Sequence, residues 1–198
     1  MISDEMSLIY YVIDTETTGL KAGWHEIIQI SVIRCKDKQQ RTTNVKADYP
    51  YRASPEALAV TRKSIHDLKN GIARSEAVEL IHSFLLEDEK TTEHRCIIAH
   101  NASFDRRFLH AMWQSLGKNF PADLWLCTKE FTRKFAKRQG IAKPSLSLKS
   151  SMDLVKIASQ DGAHNAVVDS INTLNLWEKL VMEQVPYASL VKRVPHNL

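Results

Sequence analysis

The sequence predicts an α/β fold in which helices flank a mixed five-stranded sheet. Short runs rich in β-branched and aromatic residues are typical of buried strands. They lie at residues 8–13, 27–34, 42–45, 96–99 and 125–127. Apolar residues at helical spacing predict helices at 55–60, 75–86, 103–116, 128–139, 146–154 and 165–183. Strands first, then alternating helices and strands, indicate a mixed sheet.

The length of the chain favours a single domain. A chain of 198 residues buries roughly 70% of the surface that it exposes when unfolded. No internal repeat, low-complexity segment or Pro/Gly/Ser-rich linker divides it. We therefore expect one domain over residues 1–198, with its core at about 8–183 and a short tail at 184–198.

Cysteine usage and hydropathy predict a cytoplasmic protein. Cys35, Cys96 and Cys127 form no CxxC pair and no zinc-site spacing, so we expect reduced core residues. The first seven residues are acidic where a secretory signal would be basic, and no apolar run approaches the ~18 residues that span a membrane. No membrane partner is expected.

The excess positive charge of the chain is local. Its net charge is +4, yet residues 128–150 contain seven basic residues and one acid, Glu130. This basic segment either contacts phosphates of a polyanion or is a solvated helix face that aids solubility.

Two acids, Asp14 and Glu16, end the first predicted strand. Residues i and i+2 of a strand share a face, so the two carboxylates project together. Neighbouring anions repel, and one stays protonated unless a cation lies between them. A solvated turn that merely ends the strand is the alternative.

Two later segments supply more ionisable side chains. Asp105 lies just past the predicted strand at 96–99, where ligands of α/β sheets gather, although it could instead cap a helix. Three acids at one edge indicate Mg²⁺ or Mn²⁺. His164 and Asp169 are five residues apart, about 140° on an ideal helix. His164 is therefore expected in the Gly162 loop or at the helix start, with Asp169 on the helix.

Together these segments resemble the DnaQ-like 3′–5′ exonucleases of the DEDD superfamily, which have a ribonuclease H-like fold. Asp14-Thr-Glu-Thr-Thr-Gly-Leu20 resembles the first family motif, His100-Asn-Ala-Ser-Phe-Asp105 the second and His164-Asn-Ala-Val-Val-Asp169 the third. The histidine five residues before the last aspartate is typical of the DEDDh branch. The resemblance spans about residues 8–183.

The resemblance implies a mechanism. Asp14, Glu16, Asp105 and Asp169 would hold two divalent ions, Mg²⁺ or Mn²⁺, and His164 would be the general base. The product would be a nucleoside 5′-monophosphate, released from a nucleic acid with a free 3′ end in a single strand or frayed duplex. DNA is favoured over RNA; an exoribonuclease and a catalytically inactive nucleic-acid-binding homologue are the alternatives.

The resemblance also implies contacts with the substrate. The expected substrate-binding residues are Thr15, Thr17, Leu20, Glu56, Ala57, Thr61, His100, Asn101 and Phe104. In the family, the residue at Leu20 wedges against the terminal base and the aromatic at Phe104 packs on the nucleotide; core packing is the alternative for both. Thr61 stands where relatives often carry histidine.

Overall fold

A six-stranded mixed sheet forms the centre of the protein. The structure is a computed structural model, and it describes residues 8–162 and 164–194. The strands lie in the order β3-β2-β1-β4-β5-β6. They are β1 (Ile9–Thr17), β2 (Ile27–Arg34), β3 (Gln40–Asn44), β4 (Arg95–Ala99), β5 (Leu124–Cys127) and β6 (Lys192–Arg193). The central strand β1 is antiparallel to β2 and parallel to β4.

Six α-helices cover the two faces of the sheet within the described ranges. They are α1 (Pro55–Thr61), α2 (Arg74–Leu86), α3 (Ala102–Gln114), α4 (Thr128–Arg138), α5 (Leu148–Leu154) and α6 (Ala166–Met182). None of these helices has the length and apolar character needed to cross a bilayer.

The sheet confirms the predicted α/β class but has six strands where five were expected. The additional strand, β6, lies in the segment predicted to be a tail, and Arg193 pairs antiparallel with Leu124 of β5. A strand of two residues is too short to show the two-residue periodicity by which strands are recognised. The hydrogen bonds of an existing sheet edge, rather than local sequence, define this strand.

Alternate residues of β1 contact two different cores. Tyr11 and Ile13 are fully buried in the cluster that contains α2 and α3, whereas Val12 is fully buried in the cluster that contains α4 to α6. Each such side chain contributes about 1.5–3 kcal/mol of burial free energy. By the same alternation, Asp14 and Glu16 face α6, and Thr15 faces α3.

A β-bulge interrupts the pairing of β1 with β2 at its carboxyl end. Glu16 pairs with Gln29, but Thr17 pairs with Ile27, so that Ile28 is the extra residue in β2. Bulges bend the strand and increase its local twist. This one lies next to Glu16, where the chain leaves the sheet.

A buried ion pair fixes the other end of β1. Arg95 and Asp88 have side chains only 1% and 3% exposed, and the Arg95 Nε donates to both carboxylate oxygens of Asp88 at 2.9 and 2.8 Å. The Tyr11 hydroxyl donates to the same carboxylate at 3.1 Å. The arginine thereby links β4, β1 and the end of α2.

Candidate active site

The carboxyl end of β1 holds the first two acids at the face covered by α6. Asp14 is half-buried and Glu16 is buried. Their partners on β2 are also polar: Ser31 pairs with Asp14, and Gln29 pairs with Glu16. Four polar side chains thus occupy two neighbouring cross-strand pairs at the end of β1.

Hydrogen bonds from β2 fix α6 over these acids. The Ser31 and Ser170 hydroxyls lie 2.8 Å apart, and the Ala166 N–H donates to the Gln29 side-chain oxygen at 2.9 Å. They place Asp169, in the first turn of α6, beside β1. Sequence reasoning missed Gln29 and Ser31, although polar residues at alternate positions of an apolar strand were a usable signal.

Asp105 lies in the first turn of α3, which starts directly after β4. Its side chain is buried, and its Oδ1 accepts hydrogen bonds from the Thr15 backbone N–H at 3.1 Å and the Thr15 hydroxyl at 2.8 Å. The second acidic segment is therefore joined directly to the residue between Asp14 and Glu16.

His164 lies in the loop before α6, as its spacing to Asp169 predicted. It has a positive φ of 64°, and its backbone N–H donates to Asp169 Oδ2 at 2.9 Å. Its imidazole is exposed. Ligand atoms of Glu16, His164 and Asp169 all lie within 4.8 Å of one another, close enough to share one metal ion.

Burial and mutual repulsion raise the pKa values of the clustered acids. Burial, followed by the charges of Asp105, Glu16 and Asp169, raises the pKa of Asp14 well above its usual range. Burial, followed by the charges of Asp169 and Asp105, raises the pKa of Glu16 to about 7, although the Lys63 ammonium lowers it. Lys63 is a nearby cation that sequence reasoning also missed.

The other two acids follow the same trend. Burial raises the pKa of Asp105 to about 7 despite the opposing hydrogen bonds from Thr15. Burial also raises the pKa of Asp169, against the hydrogen bond from the His164 N–H. Burial and, for Asp14 and Glu16, repulsion between the ionised carboxylates at close range raise these pKa values. A cation between the carboxylates would offset that repulsion, so the arrangement favours cation binding.

The donor set fits divalent metal ions with oxygen ligands. Within the described residues, none of the four carboxylates forms an ion pair with a basic side chain. Carboxylate oxygens are the ligands that Mg²⁺ and Mn²⁺ prefer, and bound ions would offset the repulsion that raises the pKa values.

Leu20 and Phe104, two of the predicted substrate contacts, have different surroundings. Leu20 is 80% exposed, which excludes core packing as its role. Phe104 is partly buried and packs on Phe108, with ring centroids 4.8 Å apart, so the core accounts for part of its surface.

The first turn of α1 lies beside the loop that follows β1. The Ser54 N–H donates to the Thr18 carbonyl at 2.8 Å, which brings Glu56 and Ala57 towards that loop. The Thr61 hydroxyl donates to the Ala57 carbonyl at 2.8 Å and so satisfies a helix carbonyl.

Polar groups of several predicted contacts are already engaged by the protein. The Thr15 N–H and hydroxyl both bond Asp105, and the Thr17 hydroxyl donates to the Gly19 carbonyl at 2.7 Å. The His100 ring nitrogens lie 3.0 Å from the Thr128 hydroxyl and 2.9 Å from the Leu146 carbonyl. Both ring nitrogens of His100 thus have protein partners, and neither is free for the predicted substrate contact. Asn101, the N-cap of α3, is exposed.

Four carboxylates and a histidine at the carboxyl edge of a mixed sheet define a class: the metal-dependent phosphodiester hydrolases of the DEDD type. Residues 11–177 match the family model described as exonuclease (RNase T). The chain belongs to this exonuclease family, which confirms the resemblance stated from the three motifs.

Curated relatives share this region. Exodeoxyribonuclease 10 of Escherichia coli strain K12 is 32% identical over 123 residues, which are 62% of this chain and 46% of that protein. The PolC-type DNA polymerase III of Staphylococcus haemolyticus is 24% identical over 174 residues, 88% of this chain and 11% of that protein. The chain thus spans less than half the length of these relatives.

Solved structures share the fold. Escherichia coli exonuclease I in complex with a dT13 oligonucleotide superposes with a TM-score of 0.72 at 19% identity, over 88% of this chain and 41% of that one. A 3′-exonuclease solved for 3′-end-specific recognition of a histone mRNA stem-loop gives a TM-score of 0.71 at 13% identity, over 100% of this chain and 75% of that one.

Proposed function

We propose that this chain is a metal-dependent 3′–5′ exonuclease that releases nucleoside 5′-monophosphates, with DNA favoured over RNA. One observation carries the proposal: Asp14, Glu16, Asp105, His164 and Asp169, from three separate segments, converge at one edge of the sheet. Membership in the exonuclease family supports it.

Asp14, Glu16, Asp105 and Asp169 are the residues that would hold Mg²⁺ or Mn²⁺. Two such ions supply Lewis acidity for an attacking water and charge stabilisation for the leaving 3′-oxygen. The rigid sheet holds the Asp14 and Glu16 carboxylates, and hydrogen bonds to Thr15 and His164 orient those of Asp105 and Asp169. These acids therefore need little reorganisation to act together.

His164 is the proposed general base. Its backbone is tied to Asp169, but its imidazole is exposed and its nearest ring nitrogen lies within 4.8 Å of ligand atoms of Glu16 and Asp169. In the neutral imidazole, one ring nitrogen accepts a proton from water that attacks the terminal phosphate. Its loop position lets the ring turn without moving α6.

The loop after β1 is the proposed binding site of the 3′-terminal nucleotide. Leu20 projects from this loop into solvent and can wedge against a terminal base. One side of this binding site would be formed by Glu56 and Ala57 in the first turn of α1 and by the nearby Thr61. Phe104 would pack on the nucleotide. Such contacts do not read base identity, so the proposed degradation is largely independent of sequence.

The proposed partner is a nucleic acid with a single-stranded or frayed 3′ end. Similarity to Exodeoxyribonuclease 10 at 32% identity supports DNA. The exoribonuclease alternative is retained because the 3′-exonuclease solved for recognition of a histone mRNA stem-loop superposes over 100% of this chain. Three free cysteines accord with the proposed cytoplasmic location.

A nuclease assay tests the reaction. An oligonucleotide labelled at its 3′ end should lose the label first, as a mononucleotide, with Mg²⁺ or Mn²⁺ and not with EDTA. Asp14→Asn should abolish release, whereas Asp153→Asn, an exposed aspartate on α5, should not. Metal-independent release, or equal release by Asp14→Asn, would contradict the proposed chemistry, and an inactive wild type that binds oligonucleotides would favour the inactive homologue.

Matched DNA and RNA oligonucleotides of one sequence, assayed side by side, decide the sugar preference. We expect a higher kcat/KM on DNA. A higher kcat/KM on RNA would replace the DNA assignment with the exoribonuclease and leave the metal chemistry intact.

A further inference from the structure

A cavity beside the proposed active site has the chemistry of a nucleotide subsite. It encloses about 100 Å³ between the loop after β1, the segment before α1 and one face of α3. Phe108 and Met112 of α3 lie in its wall and are buried, whereas Trp24 and Tyr49 at its rim are 48% and 42% exposed. An apolar wall with exposed aromatic rings suits the flat face of a nucleobase.

The same cavity contains an arginine, Arg52, whose side chain finds no polar partner among the residues that the structure describes. The Arg52 guanidinium carbon lies 4.1 Å from the Trp24 ring centroid and 4.0 Å from that of Tyr49. Over residues 8–162 and 164–194, its Nε has no hydrogen bond and its guanidinium forms no ion pair. Two rings thus hold a planar cation in place while its terminal N–H groups remain available to an anion such as a phosphate.

Neighbouring acids do not neutralise this arginine. Glu26, which also lines the cavity, accepts hydrogen bonds from Arg74 at 2.6 Å and from the Asp48 and Tyr49 backbone N–H groups at 3.0 and 2.8 Å. Arg74 also pairs with Asp48. These contacts engage the nearby carboxylates and fix the backbone that carries the Tyr49 ring, so part of the binding surface is already formed before any ligand binds.

The cavity lies within reach of a strand whose 3′ end occupies the proposed active site. Met112 is seven residues after Asp105 on α3, which at ~1.5 Å per residue is about 10 Å along the helix axis. Stacked nucleotides are ~3.4 Å apart along one strand, so this distance corresponds to about three nucleotides. His25, in the cavity wall, lies against Gly19, the residue before Leu20.

From these contacts we propose that the cavity bounded by Trp24, Tyr49, Arg52, Phe108 and Met112 binds a nucleotide of the substrate strand about three positions upstream of its 3′ end. Arg52 binds the phosphate, and Trp24 and Tyr49 contact the base. The inference rests on the proposed exonuclease function, because it takes the substrate strand as the occupant. With this subsite, the preferred substrate is a single strand of several nucleotides rather than a free dinucleotide.

Substrates of two lengths test the subsite. Thymidine 5′-monophosphate p-nitrophenyl ester ends at the proposed active site, whereas a single-stranded hexanucleotide reaches the cavity. Arg52→Gln and Trp24→Ala should each raise KM for the hexanucleotide about ten-fold, from lost stacking and phosphate contact. Their kcat/KM on the ester should stay within about two-fold of wild type.

A matched control separates charge from position. Arg41→Gln also removes a positive charge and a cation–π contact, with Phe84 at 4.9 Å, but on the edge strand β3. It should leave both substrates unaffected. Arg52→Gln should in addition lower the salt dependence of hexanucleotide binding by a slope of about 0.7, whereas Arg41→Gln should not.

Binding by fluorescence anisotropy in EDTA keeps the two proposals distinguishable. If wild type cleaves neither substrate, the exonuclease proposal fails, while ten-fold weaker hexanucleotide binding by Arg52→Gln, relative to wild type, would still support the subsite. Unchanged hexanucleotide KM and binding in both variants would overturn the subsite. Equal losses of kcat/KM on the ester and the hexanucleotide would also overturn it. So would a loss that circular dichroism traces to unfolding of Arg52→Gln, if the conservative variant Arg52→Lys binds the hexanucleotide no more tightly than Arg52→Gln.

Discussion

Removing one charge from the acidic cluster should stabilise the metal-free protein and abolish its proposed nuclease activity. In Asp105→Asn, the retained side-chain oxygen can still accept the two hydrogen bonds from Thr15. Only the negative charge is lost. The wild-type carboxyl is buried, and burial raises its pKa from 3.8 to about 7.

The sign and size of the effect follow from this pKa. Between pH 3.8 and about 7 the folded protein holds this proton and the unfolded chain releases it, so the free energy of unfolding falls as pH rises. A difference of about 3 pH units, at ~1.36 kcal/mol each, sets a ceiling of about 4 kcal/mol. Relaxation and the shared protons of the cluster reduce this, so we expect about 1–3 kcal/mol at about pH 8.

Thermal unfolding in EDTA measures the difference. The Tm of Asp105→Asn should exceed that of wild type by about 2–12 °C at about pH 8, since 1 kcal/mol shifts a domain of this size by about 2–4 °C. At about pH 5 the difference should be about half of that at about pH 8 or less, because only part of the interval between 3.8 and about 7 has been crossed. The two should agree only near or below pH 3.8, where the folded and the unfolded wild type both hold the proton. Mg²⁺ should raise the Tm of wild type more than that of the variant.

The surface variant Asp153→Asn is the matched control and should show no such pH-dependent gain. The reasoning is refuted if Asp105→Asn is less stable than wild type at about pH 8 in EDTA, or equally shifted at both pH values.

Three further predictions concern the proposed general base, the proposed wedge residue and the stability of the fold. His164→Ala should lower kcat by ~10²–10⁴, the usual range for a general base, while Mg²⁺ still raises the Tm; a lost Tm response would make His164 a metal ligand instead. Leu20→Ala should leave Tm unchanged, because the side chain is 80% exposed, but should slow digestion of duplex ends relative to single strands. Arg95→Met should lower the free energy of unfolding by about 3–5 kcal/mol, since it leaves the buried Asp88 without its partner; Arg95→Met with Asp88→Leu should recover part of the loss in urea denaturation.

Much of the site followed from sequence because strand ends and periodicity are local signals. Strand alternation predicts that Asp14 and Glu16 share one face. The angle between His164 and Asp169 on an ideal helix predicts that the histidine lies outside the helix. The resemblance of three ordered motifs then implied their chemistry, and the family match supports it.

Other features depend on contacts that no local pattern reveals. The inward turn of His100 requires Thr128 and Leu146, which follow it by 28 and 46 residues. Strand β6 exists because β5 offers an unpaired edge to Arg193, a partner 69 residues from Leu124. The sandwich of Arg52 between Trp24 and Tyr49 likewise joins two loops whose proximity depends on the sheet.

The bulge beside Glu16 separates a segment that cannot change in length from one that can. Before it, β1 is paired on both sides, so inserting or deleting one residue would turn both acids to the opposite face of the sheet. After it, residues 18–26 leave the sheet, and length can vary there without changing which way Asp14 and Glu16 point. Insertions and deletions among relatives should therefore begin abruptly after Thr17, where the rim of the cavity can diversify while the direction of the two acids stays fixed.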